Sequence, residues 1–301
     1  MRGREGKTIG LFRPGNAPDT AYCNLRDADH CVEWKAFCES LWGRYASYAD
    51  RHFLDEIRIQ FHPRFWEMYL AVTFLDRGHT LHKHKEGGPE FGIDIDGRRH
   101  WFDAIAPTAG TGPDAVPDEF QKNTAGTVPQ QQIILRYTSA LATKRQKWQE
   151  DLKSGRVSDS DGYIVAINDR SIPWAWLGAE MPYIAKALYG LGNIEVVFDR
   201  TTLEFVDSRY GHRPTIAKAS GTGISSQPFA ARECPDVSAV LYSVVNAANY
   251  PPRLGENFMI LHNDQTNVPL PRGALRFYRE YWIEGESLNM KDWSQARAEA
   301  P

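Results

Sequence analysis

The stretch EFGIDIDGRRHWFDAI, residues 90 to 105, holds two carboxylates spaced so that they could share a ligand. FGIDID alternates apolar with acidic positions, DGRR has the composition of a tight turn, and HWFDAIA has that of a second strand. If the strands pair through that turn, the free end of the first lies beside the middle of the second, and Glu90 and Asp103 converge. The backbone carbonyl of Ala104 adds a third oxygen. Hard divalent cations take oxygen ligands of this kind. A cation held there could polarise a phosphate, activate water and relieve charge on the leaving oxygen. The chemistry is metal-assisted hydrolysis of a phosphodiester, with Mg2+ or Mn2+ as the expected cofactor. Asp103 is the stronger candidate, because an acid between apolar neighbours in a buried strand is costly without a partner. Glu90 follows GGP and could equally be a turn residue. Asp94 and Asp96 are expected to be solvated, or to join the site if the register shifts by one.

These strands need elements to hold them. The segment PRFWEMYLAVTFLDRG, from Pro63 to Gly78, has the period and stops of a helix, with Phe65, Met68, Tyr69, Val72 and Leu75 on its apolar side. Before it, Trp34, Phe37, Leu41, Tyr45 and Tyr48 mark another amphipathic helix. Residues 107 to 128, rich in Gly, Pro, Thr and Asp, form a loop long enough to serve as a flap over a cleft. The strongest helical pattern follows, PQQQIILRYTSALATKRQKWQEDLKSG. On it Gln132, Arg136, Ala140 and Lys144 recur every four residues as one polar stripe, with Lys147 beside it. YIVAIN is apolar throughout, as a strand buried on both faces would be. EMPYIAKALYGLG and IEVVFD then suggest a β-α-β unit with a right-handed crossover. The last third alternates strands and turns. It could complete the sheet, recognise substrate or form a homodimer.

GPEFGIDI followed by DGRRHWFDAIAP resembles the acidic core of the restriction-endonuclease-like superfamily, the PD-(D/E)xK nucleases, over roughly residues 63 to 168. There a Pro-acid pair on one strand precedes an acid-x-Lys tripeptide on the next. The resemblance implies an α/β fold with a central mixed sheet flanked by helices. It also implies hydrolysis of nucleic acid, DNA in the first instance, with Glu90 and Asp103 as metal-holding carboxylates. Glu67, in RFWEMYL, matches the extra acid many members carry on the preceding helix, as a catalytic residue and metal ligand. One position departs from the pattern. Ile105 stands where the lysine belongs, and an alkyl group cannot stabilise an oxyanion. Some members supply the lysine from the following helix, where Lys144 or Lys147 would serve; Lys144 is favoured for the catalytic role, with Arg136 and Lys147 on phosphate and Gln132 toward the metal-bound water or an acidic partner. If that substitution has not occurred, the chain is an inactive nuclease-like fold that binds nucleic acid or protein.

Simpler readings compete at several of these positions. Glu67 alone is what a helix dipole favours in a first turn, and charged faces of helices are usually only wet. His79, His82, His84 and His100 invite a zinc site, but neither HExxH nor a cysteine pair accompanies them. GTGIS, residues 221 to 225, lacks the Lys-Ser/Thr ending of a phosphate loop. The four cysteines are too unevenly placed for a disulfide framework and are expected as free thiols. A net charge of −3 confines any nucleic-acid contact to a local patch. With 301 residues, 42% of them hydrophobic, the chain should build one principal domain. The expected order is a helical region over 1–62, the nuclease-like core over 63–200 and a strand-rich extension over 201–301. No apolar run is long enough for a membrane helix and the start has no apolar leader core, so a cytoplasmic location is expected.

Overall fold

The computed structural model describes residues 9–84, 87–118, 126–178, 181–285 and 287–294. Its helices are α1 (Thr20–Asp27), α2 (Val32–Tyr45), α3 (Phe53–Glu56), α4 (Phe61–Asp76), α5 (Gln130–Lys153) and α6 (Tyr183–Tyr189). The strands are β1 (Phe91–Ile95), β2 (Arg98–Ile105), β3 (Gly162–Asn168), β4 (Leu191–Phe198), β5 (Phe205–His212), β6 (Thr215–Ala217), β7 (Gly223–Ser225), β8 (Ala239–Ser243), β9 (Met259–His262), β10 (Arg279–Glu284) and β11 (Ser287–Asp292).

Seven strands make one mixed sheet in the order β1-β2-β3-β8-β9-β10-β11. β1 and β2 are antiparallel, β2, β3 and β8 run parallel, β9 is antiparallel to β8, β10 parallel to β9 and β11 antiparallel to β10. The fold is therefore α/β, with helices on both faces. Alternation along the strands sorts the core into two layers. Phe102, Ile164, Ala166, Leu241 and Ile260 face α2 and α4, while Trp101, Tyr163, Val165, Ile167 and Val240 face α5 and α6. β3 is buried at every position, as its continuous apolar run requires. The last third of the chain supplies four of the seven strands, so the sheet combines strands from both sides of position 200.

α5 is the long strut of the molecule. Its 24 residues span about 36 Å at about 1.5 Å per residue. Ile133, Ile134, Tyr137, Leu141 and Trp148 lie against the sheet, and Gly155 follows the helix at φ +71°, a conformation glycine adopts without a Cβ penalty.

The expected crossover unit after β3 is not formed. β4 pairs antiparallel with β5 in a separate two-stranded hairpin, and the parallel neighbour of β3 is β8. The reason is local. Asp199 accepts the N–H groups of Thr201 and Thr202 in a turn that sends the chain straight back, and Ile194, Val196 and Phe198 are left about half exposed instead of entering the core.

The tip of the expected flap, residues 119–125, lies outside the described residues. Its described flanks are fastened. Val116 is buried, its N–H reaches the carbonyl of Ala109, and the Trp174 indole donates to the carbonyl of Pro117.

Candidate active site

The β1–β2 register pairs Phe91 with Phe102, so Glu90, one residue before β1, comes opposite Asp103. The Glu90 N–H donates to the Phe102 carbonyl at 2.9 Å, which extends the pairing to that position. Period-two alternation from Trp101 turns Asp103 toward α5. There its fully buried carboxylate meets the α5 stripe. Lys144 Nζ is 2.6 Å from Asp103 Oδ1 and Lys147 Nζ is 3.3 Å from the same oxygen. Tyr163, from β3, donates to Asp103 Oδ2 at 3.1 Å, with the Lys144 carbonyl a second acceptor for the same hydroxyl at 2.9 Å. Burial, then the charge of Asp103, keeps the Tyr163 phenol well above its ordinary pKa, so it remains a donor. Burial pulls the Lys147 ammonium down, but Asp103 and Glu90 outweigh it and hold it above the usual lysine value.

Glu67 reaches the site from α4. It is buried, it lies beyond the helix's first turn, and the helix dipole therefore does not account for it. Arg64 Nη1 donates to Glu67 Oε2 at 2.6 Å, and the Tyr45 hydroxyl of α2 donates to Oε1. Arg64 also pairs with Glu56.

Glu90 stands between these two paired acids. Among the described residues no hydrogen bond or ion pair engages its partly buried carboxylate. Burial first, then the charges of Glu67 and Asp103, push its pKa up to about 8 despite Lys144 and Lys147. Mutual charge effects tie Glu90 to both neighbours, so the structure brings Glu67, Glu90, Asp103, Lys144 and Lys147 into one neighbourhood. The acids are not arranged as a ready chelate: among the described residues no group of three or more His, Cys, Asp or Glu side chains is placed to hold a metal ion. The oxygens of Asp103 and Glu67 are taken by protein cations and phenols instead.

The remaining stripe residues lie elsewhere. Arg136 is about 12 Å along the helix from Lys144, and Gln132 about 18 Å, at the rise of a regular helix. Arg136 braces the loop after β2 by donating to the Thr108 carbonyl at 2.9 Å. Gln132 lines a separate hollow with Val128, Asn193 and Arg213. Neither is brought to the acids. Ile105 packs with the apolar layer beneath α5, and Ala104 pairs in register with Ala166.

The histidines do not assemble. His82 pairs with Asp94, His84 stacks on Trp101 and His100 is buried against the strand backbone. The four cysteines are free. Tyr163, Tyr45 and Arg64 were not legible as site residues. The signals available were the lone phenol of GYIVAIN, since a buried hydroxyl needs a partner, and the three-residue spacing of Arg64 and Glu67 on one helix.

A second buried carboxylate lies under the same helix. Asp169, just past β3, accepts from the hydroxyls of Tyr137 at 2.5 Å and Tyr242 at 2.6 Å. Burial raises its pKa to about 6, against the opposing pull of those two bonds. No helix among the described residues is long and apolar enough to cross a membrane. No family model, curated protein or solved structure matches the chain.

Proposed function

We propose that the chain is a divalent-metal-dependent nuclease that hydrolyses phosphodiester bonds in DNA. The observation that carries the proposal is the Lys144 ammonium, 2.6 Å from Asp103 and supplied by the helix that follows the hairpin. It stands in for the lysine that Ile105 cannot be. Support also comes from chain order: α4, the β1–β2 hairpin with the residue before it, and α5 carry the acids and lysines involved, and β3 lies parallel to β2.

The donor chemistry suits Mg2+ or Mn2+, since carboxylate oxygens are hard ligands and a cation would relieve the crowding that keeps Glu90 protonated. Glu90 and Asp103 would hold it, with the Ala104 carbonyl and Glu67 as further oxygens. A cation so held supplies Lewis-acid polarisation of the phosphate and a more acidic attacking water. The chain's own groups do the rest. Lys144 balances Asp103 and offers an N–H to charge growing on the phosphoryl oxygens. Lys147, more exposed, meets a neighbouring phosphate. Tyr163 fixes the Asp103 carboxylate, and Arg64 with Tyr45 fixes Glu67.

Supercoiled plasmid incubated with Mg2+ should be nicked, and Glu90→Gln should slow nicking by about 100-fold or more, as for loss of a charge-stabilising group. Equal nicking with a chelator present, or by the variant, would refute the proposal. One observation favours a second reading, a catalytically inactive nuclease-like fold that binds nucleic acid or protein: the oxygens of Asp103 and Glu67 are already engaged by protein groups. That reading predicts retardation of DNA or capture of a protein without turnover, indifferent to Glu90→Gln.

A further inference from the structure

The β4–β5 hairpin stands off the main sheet with its apolar side chains uncovered. Phe198 is 55% exposed, Phe205 62%, Val206 60% and Leu203, at the turn, 77%. Among the described residues β5 pairs only with β4, so no strand covers its outer edge, while the Ser208 N–H is held by the Asp207 carboxylate at 2.8 Å. A two-stranded ribbon is marginal by itself and is stabilised by a further strand or by a helix packed against it; α6 packs beside β4, which leaves β5 as the side able to take a strand. Neither proline nor lysine, the usual edge blockers, occurs in FVDSRYGH. The edge is therefore suited to accept a strand, and its charge limits which. Residues 191 to 212 hold Glu195, Asp199, Glu204 and Asp207 against Arg200 and Arg209, an acidic surplus that repels nucleic acid.

We infer that β5 pairs antiparallel with β5 of a second copy of this chain, about a two-fold axis through Ser208, giving a four-stranded sheet β4-β5-β5-β4. The sequence is self-complementary in that register and in no need of another partner. Asp207 falls opposite Arg209 of the second copy, and Arg209 opposite its Asp207, two opposite-charge pairs of the kind that stabilise facing strands. Val206 falls opposite Tyr210, and Phe205 opposite Gly211, which is already buried within one copy. Among the described residues of one copy the ion pair of Arg209 is an exposed contact with Glu195, at 3.6 Å, which leaves it able to serve the second chain. The symmetric contact is isologous and closes at two copies.

The test uses the full chain. Sedimentation should give a dimer, and Arg209→Asp should weaken it by about tenfold or more by turning two attractions into two repulsions. The double reversal Asp207→Arg with Arg209→Asp restores the pairs and should restore the dimer. Ser208→Cys should form an interchain disulfide on mild oxidation, because directly opposed strand residues have Cα atoms about 4.5–5.5 Å apart, inside the disulfide range. Thr201→Cys, off the axis at the turn, should not. A monomer at all concentrations would overturn the inference. So would a dimer that ignores Arg209→Asp and gives no Ser208→Cys cross-link, since it would associate through another face.

Discussion

Two buried carboxylates lie under one helix, and their surroundings differ. α5 presents Tyr137 to Asp169 and, seven residues on, Lys144 to Asp103. Asp169 takes its side-chain hydrogen bonds from two neutral phenols, Tyr137 and Tyr242, with the charge of Arg170 acting on it from the next residue. Asp103 is met by two ammonium groups and a phenol, and a partly exposed third acid, Glu90, stands beside it. A sealed acid served by neutral donors stabilises one arrangement of the core. An acid held by two cations, one of them partly exposed, beside a partly buried acid with no hydrogen-bonding partner among the described residues, has groups able to exchange partners when a substrate arrives.

Replacing the two acids should separate these roles. Asp103→Asn should abolish DNA hydrolysis, by about 10^3-fold, as for removal of a group that balances transition-state charge. It should also cost about 3–5 kcal/mol, since both lysines lose their counter-charge. Asp169→Asn should leave the rate within about twofold, read by plasmid nicking, because nothing places it near phosphate. Active Asp103→Asn, or inactive but folded Asp169→Asn, would break the contrast.

The two lysines sharpen it further. Lys144→Met should lower kcat by about 100-fold, in the range of a positioned proton or charge donor. Lys147→Met should chiefly raise KM, as expected when binding alone is lost. Steady-state kinetics on a duplex oligonucleotide separates the two.

A smaller effect is expected in stability alone. Asp169→Asn should lose about 1.5–3 kcal/mol in urea denaturation, the range for hydrogen bonds to a charged group. The pH dependence should then divide between the two regions. Asp169 keeps its proton in the fold to about 6 rather than 3.8, and Glu90 to about 8 rather than 4.5. In both windows the native state binds more protons than the unfolded chain, so stability falls as pH rises. Between pH 6 and 8, without divalent ions, Glu90 alone of the pair contributes, and Glu90→Gln should flatten that limb. Asp169→Asn should flatten only the limb below 6.

Much of this arrangement is legible in the sequence where contacts are local. The DGRR turn sets the register that puts Glu90 opposite Asp103, and fourfold spacing on α5 puts Lys144 on the face that meets them. The same spacing misleads at Gln132 and Arg136, because a shared helical stripe extends well beyond the reach of one site. Tyr45 and Tyr163 depend on how separate elements pack, which no local period encodes, whereas Arg64 lies three residues before Glu67 on α4, a spacing the sequence does carry. β4 shows the limit most clearly. Alternating IEVVFD specifies a strand but not its partner, and the Asp199 turn pairs it with β5 rather than with β3.

Calorimetric titration with Mn2+ at pH 7, in two buffers of different ionisation enthalpy, addresses the site itself. An acid with a pKa near 8 is mostly protonated at that pH, so a bound cation should displace about one proton. The expected result is one ion per chain with that proton released, and both signals lost in Glu90→Gln. Absence of binding, or binding unchanged in Glu90→Gln with no proton released, would contradict a metal centre at Glu90 and Asp103.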